Sequence, residues 1–520
     1  MIFIIKIRKL LAKVTTLSLI GRAGRESLAG GGSVLLLLFL FLACDDYDSF
    51  TTDRSATLRF SNDTVLFDTL LTTIPSSTKT LTVYNRGDKG LHISEVKLTG
   101  GASSLFRVNI DGQDMSRSAD NCVTDFEVRR RDSIIVRIEV TVPELESDSI
   151  EAFTDRLLFT LESGVQQEVQ IIASGRNAYF LQGCTVKSDT TFTARRPIVI
   201  YDSLIVAPDA TLTLEAGTQL LFHEKAGMTV RGRLVAQGTL EAPVVLRGDR
   251  TDHMFDYLPY DRLPSRWEGL TFTQESLNNS LDYVDLHSGN YGIRCDSTGV
   301  DSLKLRLTNA RIHNLGGHGL ELLHCRTEIA NTEVSNTLGH CAYILGGDAQ
   351  FIHCTLAQFY ALSADRGEAI HISNHDSIIG YSPLYRADFI NCVATGYAED
   401  VVMIPPLTRE DMPSDVADLP INYQFIRCFL TTEVPDDALY TPRFIECQID
   451  TLDADINRDK HFQLIDTHNF LYDFTPVEAS AIRSIADSTY STPYPLDRLG
   501  RNRLADNAPD AGCYEFVKRE

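Results

Sequence analysis

After the first fifty residues, apolar and polar positions alternate in short runs broken by glycine, asparagine, aspartate and proline, the pattern of strands joined by turns. The clearest signal is a tetrapeptide that returns four times: Phe351-Ile352-His353-Cys354, Phe389-Ile390-Asn391-Cys392, Phe425-Ile426-Arg427-Cys428 and Phe444-Ile445-Glu446-Cys447. Read as an extended strand, it turns Ile and Cys to one dry side and the variable third residue to a wet one. Cys428 and Cys447 are 19 residues apart, about one three-stranded coil of a solenoid in which each coil covers its neighbour. The steps of 38 and 36 residues between the other cysteines require inserted excursions. The proline-bearing stretch from Ile404 to Pro420 is one, and Cys354 to Cys392 is either one coil with an excursion or two coils.

Upstream, runs at 57–60, 65–68, 78–85, 91–98, 106–110, 133–142, 156–162 and 166–173 have the length and rhythm of a β-sandwich over 53–175. From Thr80-Leu81-Thr82-Val83-Tyr84-Asn85 through Gly87 and Leu91-His92-Ile93 to Phe106-Arg107-Val108, this segment resembles immunoglobulin-like modules of the abnormal-spindle and hydin type. That resemblance implies a spacer or a partner-binding module.

From Val199 onward the words are Leu234-Val235-Ala236-Gln237-Gly238-Thr239, Ala242-Pro243-Val244-Val245-Leu246 and Trp267-Glu268-Gly269-Leu270. They resemble the opening coils of right-handed parallel β-helix proteins, which implies such a solenoid over 180–455. Asp497, Gly500, Arg503 and Pro509-Asp510-Ala511-Gly512-Cys513-Tyr514-Glu515 are similar to the closing segment of many such proteins. The resemblance implies that 456–520 folds back near the last coils. The expected fold class is therefore all-β: an immunoglobulin-like β-sandwich followed by a right-handed parallel β-helix.

At the start of the chain, six basic residues precede an apolar run, Val34 to Ala43, that is too short to span a membrane and ends at Cys44. Phe41-Leu42-Ala43-Cys44 resembles the lipobox of bacterial lipoproteins, with Phe41 where Leu is usual. It implies a signal peptide over 1–43 and a lipid on Cys44. The acidic tether at 44–52, with Asp45, Asp46 and Asp48, is similar to the export signal of Bacteroidetes surface lipoproteins. Attachment to the outer membrane is the resulting expectation.

The formal net charge of −22 excludes a nucleic-acid partner, because a phosphate backbone would be repelled. Of the eleven cysteines, several recur at one strand position, as buried unpaired thiols do inside a solenoid. None has zinc spacing.

Candidate chemistry is thin. Gly317-His318-Gly319 matches the Gly-His-Gly of polygalacturonase-like glycosidases, but the acidic Asn-x-Asp and Asp-Asp segments expected upstream are missing, which leaves a solenoid corner. A richer group is Asp365, Arg366, Glu368, His371, His375 and Asp376, in an excursion where functional loops tend to sit. These residue types suit proton abstraction beside a uronic acid, as in a polysaccharide lyase or glycoside hydrolase, or metal binding. Trp267 offers a sugar platform or a packed corner, and Tyr257 and Tyr260, in the loop 249–266, a groove rim. The primary expectation is a non-catalytic binding or scaffolding protein with glycan as the suggested ligand and no assigned catalytic residue. An enzyme using 365–376 and an adhesin for an envelope protein are the alternatives. No cofactor is required, and calcium is compatible with the carboxylates.

Overall fold

The computed structural model describes residues 49–518 apart from 256, 399, 408–415, 417, 451–457 and 506–507. The leader and Cys44 lie outside the described residues.

Two five-stranded sheets form the sandwich. One orders Arg59–Phe60, Lys79–Tyr84, Ser133–Val140, Phe106–Ile110 and Gln113–Asp114; the other orders Thr64–Leu71, Gln166–Arg176, Glu151–Leu161, Leu91–Leu98 and Cys122–Val128. Alternation drives the packing, since Leu81, Val83, Val136, Ile138, Phe159 and Ile171 are fully buried between the sheets. Gln113–Asp114 is only two residues long and Cys122–Val128 alternates only over Phe126-Glu127-Val128, so pattern reading passes over them.

Beyond Tyr179 the chain winds into a parallel β-helix, and each coil contributes strands to three faces. The first face includes Val244–Gly248, Val284–His287, Arg311–Leu315, Glu333–Thr337, Thr355–Gln358 and Val393–Gly396. The second includes Gly227–Val230, Leu270–Phe272, Ile293–Cys295, Leu320–Leu323, Ala342–Leu345 and Ile370–Ser373. The third is a ten-stranded ladder from Thr190–Phe192 to Phe444–Ile445.

The tetrapeptides occupy the bend from third face to first, and here the strand expectation needs correction. His353, Asn391, Arg427 and Glu446 have φ of 51°, 54°, 51° and 49°, so the third residue turns a left-handed corner and breaks the strand. That corner resets the alternation. Phe and Cys face inward, and Ile352 and Ile390 face outward, where Tyr490 and Tyr494 cover them. Inside, Phe351, Phe389, Phe425 and Phe444 stack with successive centroid distances of 4.6, 5.2 and 5.1 Å. Beside them Cys354, Cys392 and Cys428 lie fully buried as free thiols, and burial pushes Cys354 and Cys428 well up. Phe351 pairs with Phe389 and Phe389 with Phe425, so each long step is one coil carrying an excursion.

The C-terminal segment lies along the flank of the stack. Gly512 donates its amide to the Asn391 carbonyl (2.8 Å), and Cys513 donates to Thr355 Oγ1 (3.0 Å). Arg503, wholly buried, donates to Glu515 (2.6 Å) and to Asn331 Oδ1 (2.9 Å), while the Tyr514 hydroxyl donates to Glu333. Phe462, Phe474 and Ile482 cover the outward Ala357, Val393 and Phe429, so the segment covers the later coils of the first face.

Truncating the stacked core ring in Phe389→Ala should cost about 3–5 kcal/mol, because its neighbours are held in register and cannot collapse into the gap. Chemical unfolding followed by circular dichroism measures this.

Candidate functional site

On the second face, in-register pairing aligns two outward rows. Leu270, Ile293, Leu320, Ala342 and Ile370 are paired in sequence, so the residues after them, Thr271, Arg294, Glu321, Tyr343 and His371, form one row. The residues two places before them, Glu268, Tyr291, His318, His340 and Glu368, form the other. Both rows are half-buried. Glycine sits between the rows where coils come closest: a Cβ on Gly292 would meet the Gly319 carbonyl at 2.2 Å, and one on Gly319 the Cys341 carbonyl at 2.6 Å.

Polar contacts tie the strip together. Arg294 reaches Asp296 (2.9 Å) and Glu321 (3.4 Å), and the Thr271 and Tyr291 hydroxyls meet at 2.8 Å. The His340 ring stacks on His318 at 5.0 Å and meets His371 edge-on at 4.4 Å, with Tyr343 against all three imidazoles. His340 donates its amide to His318 Nδ1 (2.9 Å), and Glu368 donates its amide to His340 Nδ1 (3.0 Å). Glu368 Oε2 lies 2.7 Å from His340 Nδ1 and 3.8 Å from His371 Nδ1.

Burial pulls His318 and His371 down to about 4, helped in both by His340. The His340 ring beside it holds Glu368 below the usual carboxylate range, whereas burial holds Glu321 above it. At neutral pH His318 and His371 are uncharged.

Of the six residues singled out in the excursion, the structure brings together only Glu368 and His371, and adds His340, His318 and Tyr343. Asp365 is exposed, and Arg366 turns back to the Tyr360 carbonyl (3.1 Å) and over Tyr397. His375 packs on Tyr381 in a small hairpin whose turn Asp376 caps through the amides of Ile378 and Ile379. The signal for the added residues was present in the sequence: Gly317-His318 and Gly339-His340 are separated by one coil.

Of the proposed sugar contacts, Trp267 needs correction. Trp267 is buried, stacked on Phe222 at 4.2 Å, and donates to the His287 carbonyl (2.8 Å), so it packs a corner and presents no ring to a ligand. The loop 249–266 is a strut whose two ends line an open cleft, and the residues lining that cleft do not include Tyr257 or Tyr260. Thr251 donates to the Thr69 carbonyl of the sandwich (3.5 Å), Arg262 donates to the Asn469 carbonyl (2.9 Å), and Tyr257 stacks on His468 at 4.9 Å. Tyr260 lies under Arg250 at 3.7 Å. An open cleft of about 560 Å³ separates this strut from sandwich residues 70–77.

A second cluster, Asp285, His287 and His313, lies on the first face. Asp285 Oδ1 is 2.7 Å from His287 Nδ1 and 3.1 Å from His313 Nε2. On the next strands Arg311 lies 3.2 Å from Glu333, which the Tyr514 hydroxyl contacts. Burial opposes ionisation of Glu333, but Arg311 and Arg498 hold it at about 2. This network binds the closing segment to the coils.

No protein-family model matches the chain, and no curated protein does. Among solved structures, the family 28 exopolygalacturonase of Yersinia enterocolitica matches 72% of this chain and 92% of its own at 10% identity, with a TM-score of 0.21. PapD-like domain 7 of human CEP192 matches 24% of this chain and 89% of its own at 14% identity and a TM-score of 0.16. A Porphyromonas gingivalis W83 protein of unknown function matches 25% of this chain and 59% of its own at 15% identity and a TM-score of 0.17.

Because His318 and His371 bind protons less readily when folded than unfolded, the stability they contribute is complete above about pH 6.5 and falls toward pH 4. Urea unfolding across that window should show the decline, and His318→Asn with His371→Asn should lessen it, the buried His313 and His353 contributing the remainder.

Proposed function

We propose that the chain is a lipid-anchored envelope protein whose β-helix binds glycan along the open second face. The observation that carries this reading is the paired row of half-buried Arg, Glu, Tyr and His side chains on that face. The later coils of the first face are covered by the C-terminal segment, and the third carries ion pairs that neutralise themselves, Arg306 with Glu328 and Arg386 with Asp348. A linear glycan presents hydroxyls and apolar ring faces repeatedly along its length. A straight strip with one aromatic or hydrogen-bonding group per coil, spaced about 4.8 Å apart, meets that repetition. Arg294 is already paired with Asp296 and Glu321, so the strip is neutral to negative overall and suits a neutral sugar.

A second reading, a glycoside hydrolase or polysaccharide lyase, is favoured by the opposite displacement of two carboxyls in one strip. Glu321, held up by burial, is the candidate proton donor and Glu368, held down, the candidate base. The site for that chemistry is the strip itself, to which the excursion residues contribute Glu368 and His371.

The test is a screen of the purified protein against neutral and acidic polysaccharides, scoring retention and release of reducing or unsaturated ends. Retention that falls about ten-fold, ~1.4 kcal/mol, in Tyr343→Ala and in Arg294→Ala supports glycan binding on this face. Release abolished by Glu321→Gln establishes the enzyme reading, and neither retention nor release moves the role to a protein partner. Anchoring is checked separately: Cys44→Ser should shift the protein from the membrane to the soluble fraction.

A further inference from the structure

Two clusters of imidazole and carboxylate in the described residues have the spacing of a metal site: Asp285, His287 and His313, and His340, Glu368 and His371. Their proton arrangements separate them. In the first, Asp285 Oδ1 is hydrogen-bonded to both rings, and the adjoining Glu333 network is fastened by Tyr514 of the closing segment. That cluster is complete as a structural ion-pair network.

In the second, the Glu368 amide donates to His340 Nδ1, which makes that nitrogen an acceptor. The proton on the His340 ring is then on Nε2, 3.0 Å from His371 Nδ1, which accepts it. Glu368 Oε2 is left facing these rings, 2.7 Å from His340 Nδ1 and 3.8 Å from His371 Nδ1, and this buried atom receives no hydrogen bond. An anionic oxygen and a nitrogen lone pair at that distance repel each other unless a proton or a cation lies between them, and a metal ion is the occupant that engages His371 as well.

We infer that His340, Glu368 and His371 bind one divalent transition-metal ion of the zinc class on the second face. A tetrahedral ion with bonds of roughly 2.0–2.2 Å holds its ligands about 3.3–3.6 Å apart. One ligand atom from each residue lies within 4.8 Å of the others, with Glu368 Oε2 2.7 Å from His340 Nδ1 and 3.8 Å from His371 Nδ1, and binding exchanges the ring–ring and amide–ring contacts of His340 for bonds to the ion. Two imidazoles and one carboxylate select a transition metal over calcium, which takes oxygen ligands.

The scaffold is prepared for the ion. The three side chains come from two consecutive coils, His340 is fixed by stacking on His318, and the Cys341 amide donates to the Glu368 carbonyl at 3.1 Å. Three protein ligands leave a coordination position directed to the strip beside Tyr343, where a sugar hydroxyl or carboxylate would complete the shell. Only this last step rests on the glycan reading.

The experiment uses the full chain, stripped with a chelator and titrated with Zn²⁺ by calorimetry at neutral pH, with Co²⁺ absorption as a second readout. One equivalent is expected, with the visible spectrum of Co²⁺ in a tetrahedral nitrogen and oxygen field. Affinity should fall about ten-fold or more in Glu368→Gln and in His371→Asn, each checked for folding by circular dichroism, and should be unchanged in His287→Asn. Absence of stoichiometric uptake, uptake equal in the Glu368 and His371 variants, or loss in His287→Asn overturns the proposal. Should a substituted protein fail to fold, the Co²⁺ spectrum of the unsubstituted chain decides. Metal uptake without glycan retention leaves this site standing and removes the glycan reading; retention unaffected by the chelator with no uptake does the reverse.

Discussion

In-register stacking of parallel coils is the constraint on which everything else depends. Once a residue of one coil pairs with its counterpart in the next, every side chain on that strand acquires a neighbour of the same rank. Inside, this produces columns: four phenylalanines ring on ring, and buried cysteines whose sulfurs accept from the amides of neighbouring coils. The left-handed corner recurs with the columns, at Asn309, Asn331, His353, Asn391, Arg427 and Glu446. Asparagine tolerates this conformation better than most residues, and stacked asparagines bond across coils, as Asn331 does to Asn309 at 3.1 Å. Larger residues adopt the same conformation because the coils on either side impose it.

The same register applied to the outer surface makes columns of chemistry. Histidines one coil apart become stacked rings, and carboxylates separated by tens of residues in sequence share one strip. Which column stays open is decided by what folds back. The closing segment, held by Arg503, Glu515 and Tyr514, covers the later strands of the first face at Glu333, Ala357, Val393 and Phe429. The strut at 249–266 ties sandwich, solenoid and closing segment together. The second face is thereby a half-buried strip on a rigid support, the setting in which pre-placed polar groups bind ligands with little loss of side-chain freedom.

Electrostatics within that strip follow from partial burial more than from net charge. Removing water from His318 and His371 makes them neutral donors of electron pairs, while Glu368 keeps its charge beside His340. An acidic protein thus carries a local site whose demand is for a cation or a hydrogen-bonding ligand.

The sequence alone determined the fold class, the coil period, the inward cysteines and the glycine corners. Each is a local property, carried by alternation, by a tetrapeptide or by one residue without a Cβ. It misassigned the third residue of the tetrapeptide, since a single left-handed corner resets alternation without changing composition. It named Glu368 and His371 but grouped them with Asp365, Arg366, His375 and Asp376, their neighbours along the chain. Only the tertiary structure joined them to His340, His318 and Tyr343, and only it showed Trp267 buried and the 249–266 loop used as a strut. The reason is that lateral neighbours in a solenoid are separated by one coil, and excursions stretch that separation from about 22 to 38 residues. Contacts across coils therefore become visible only when the register is.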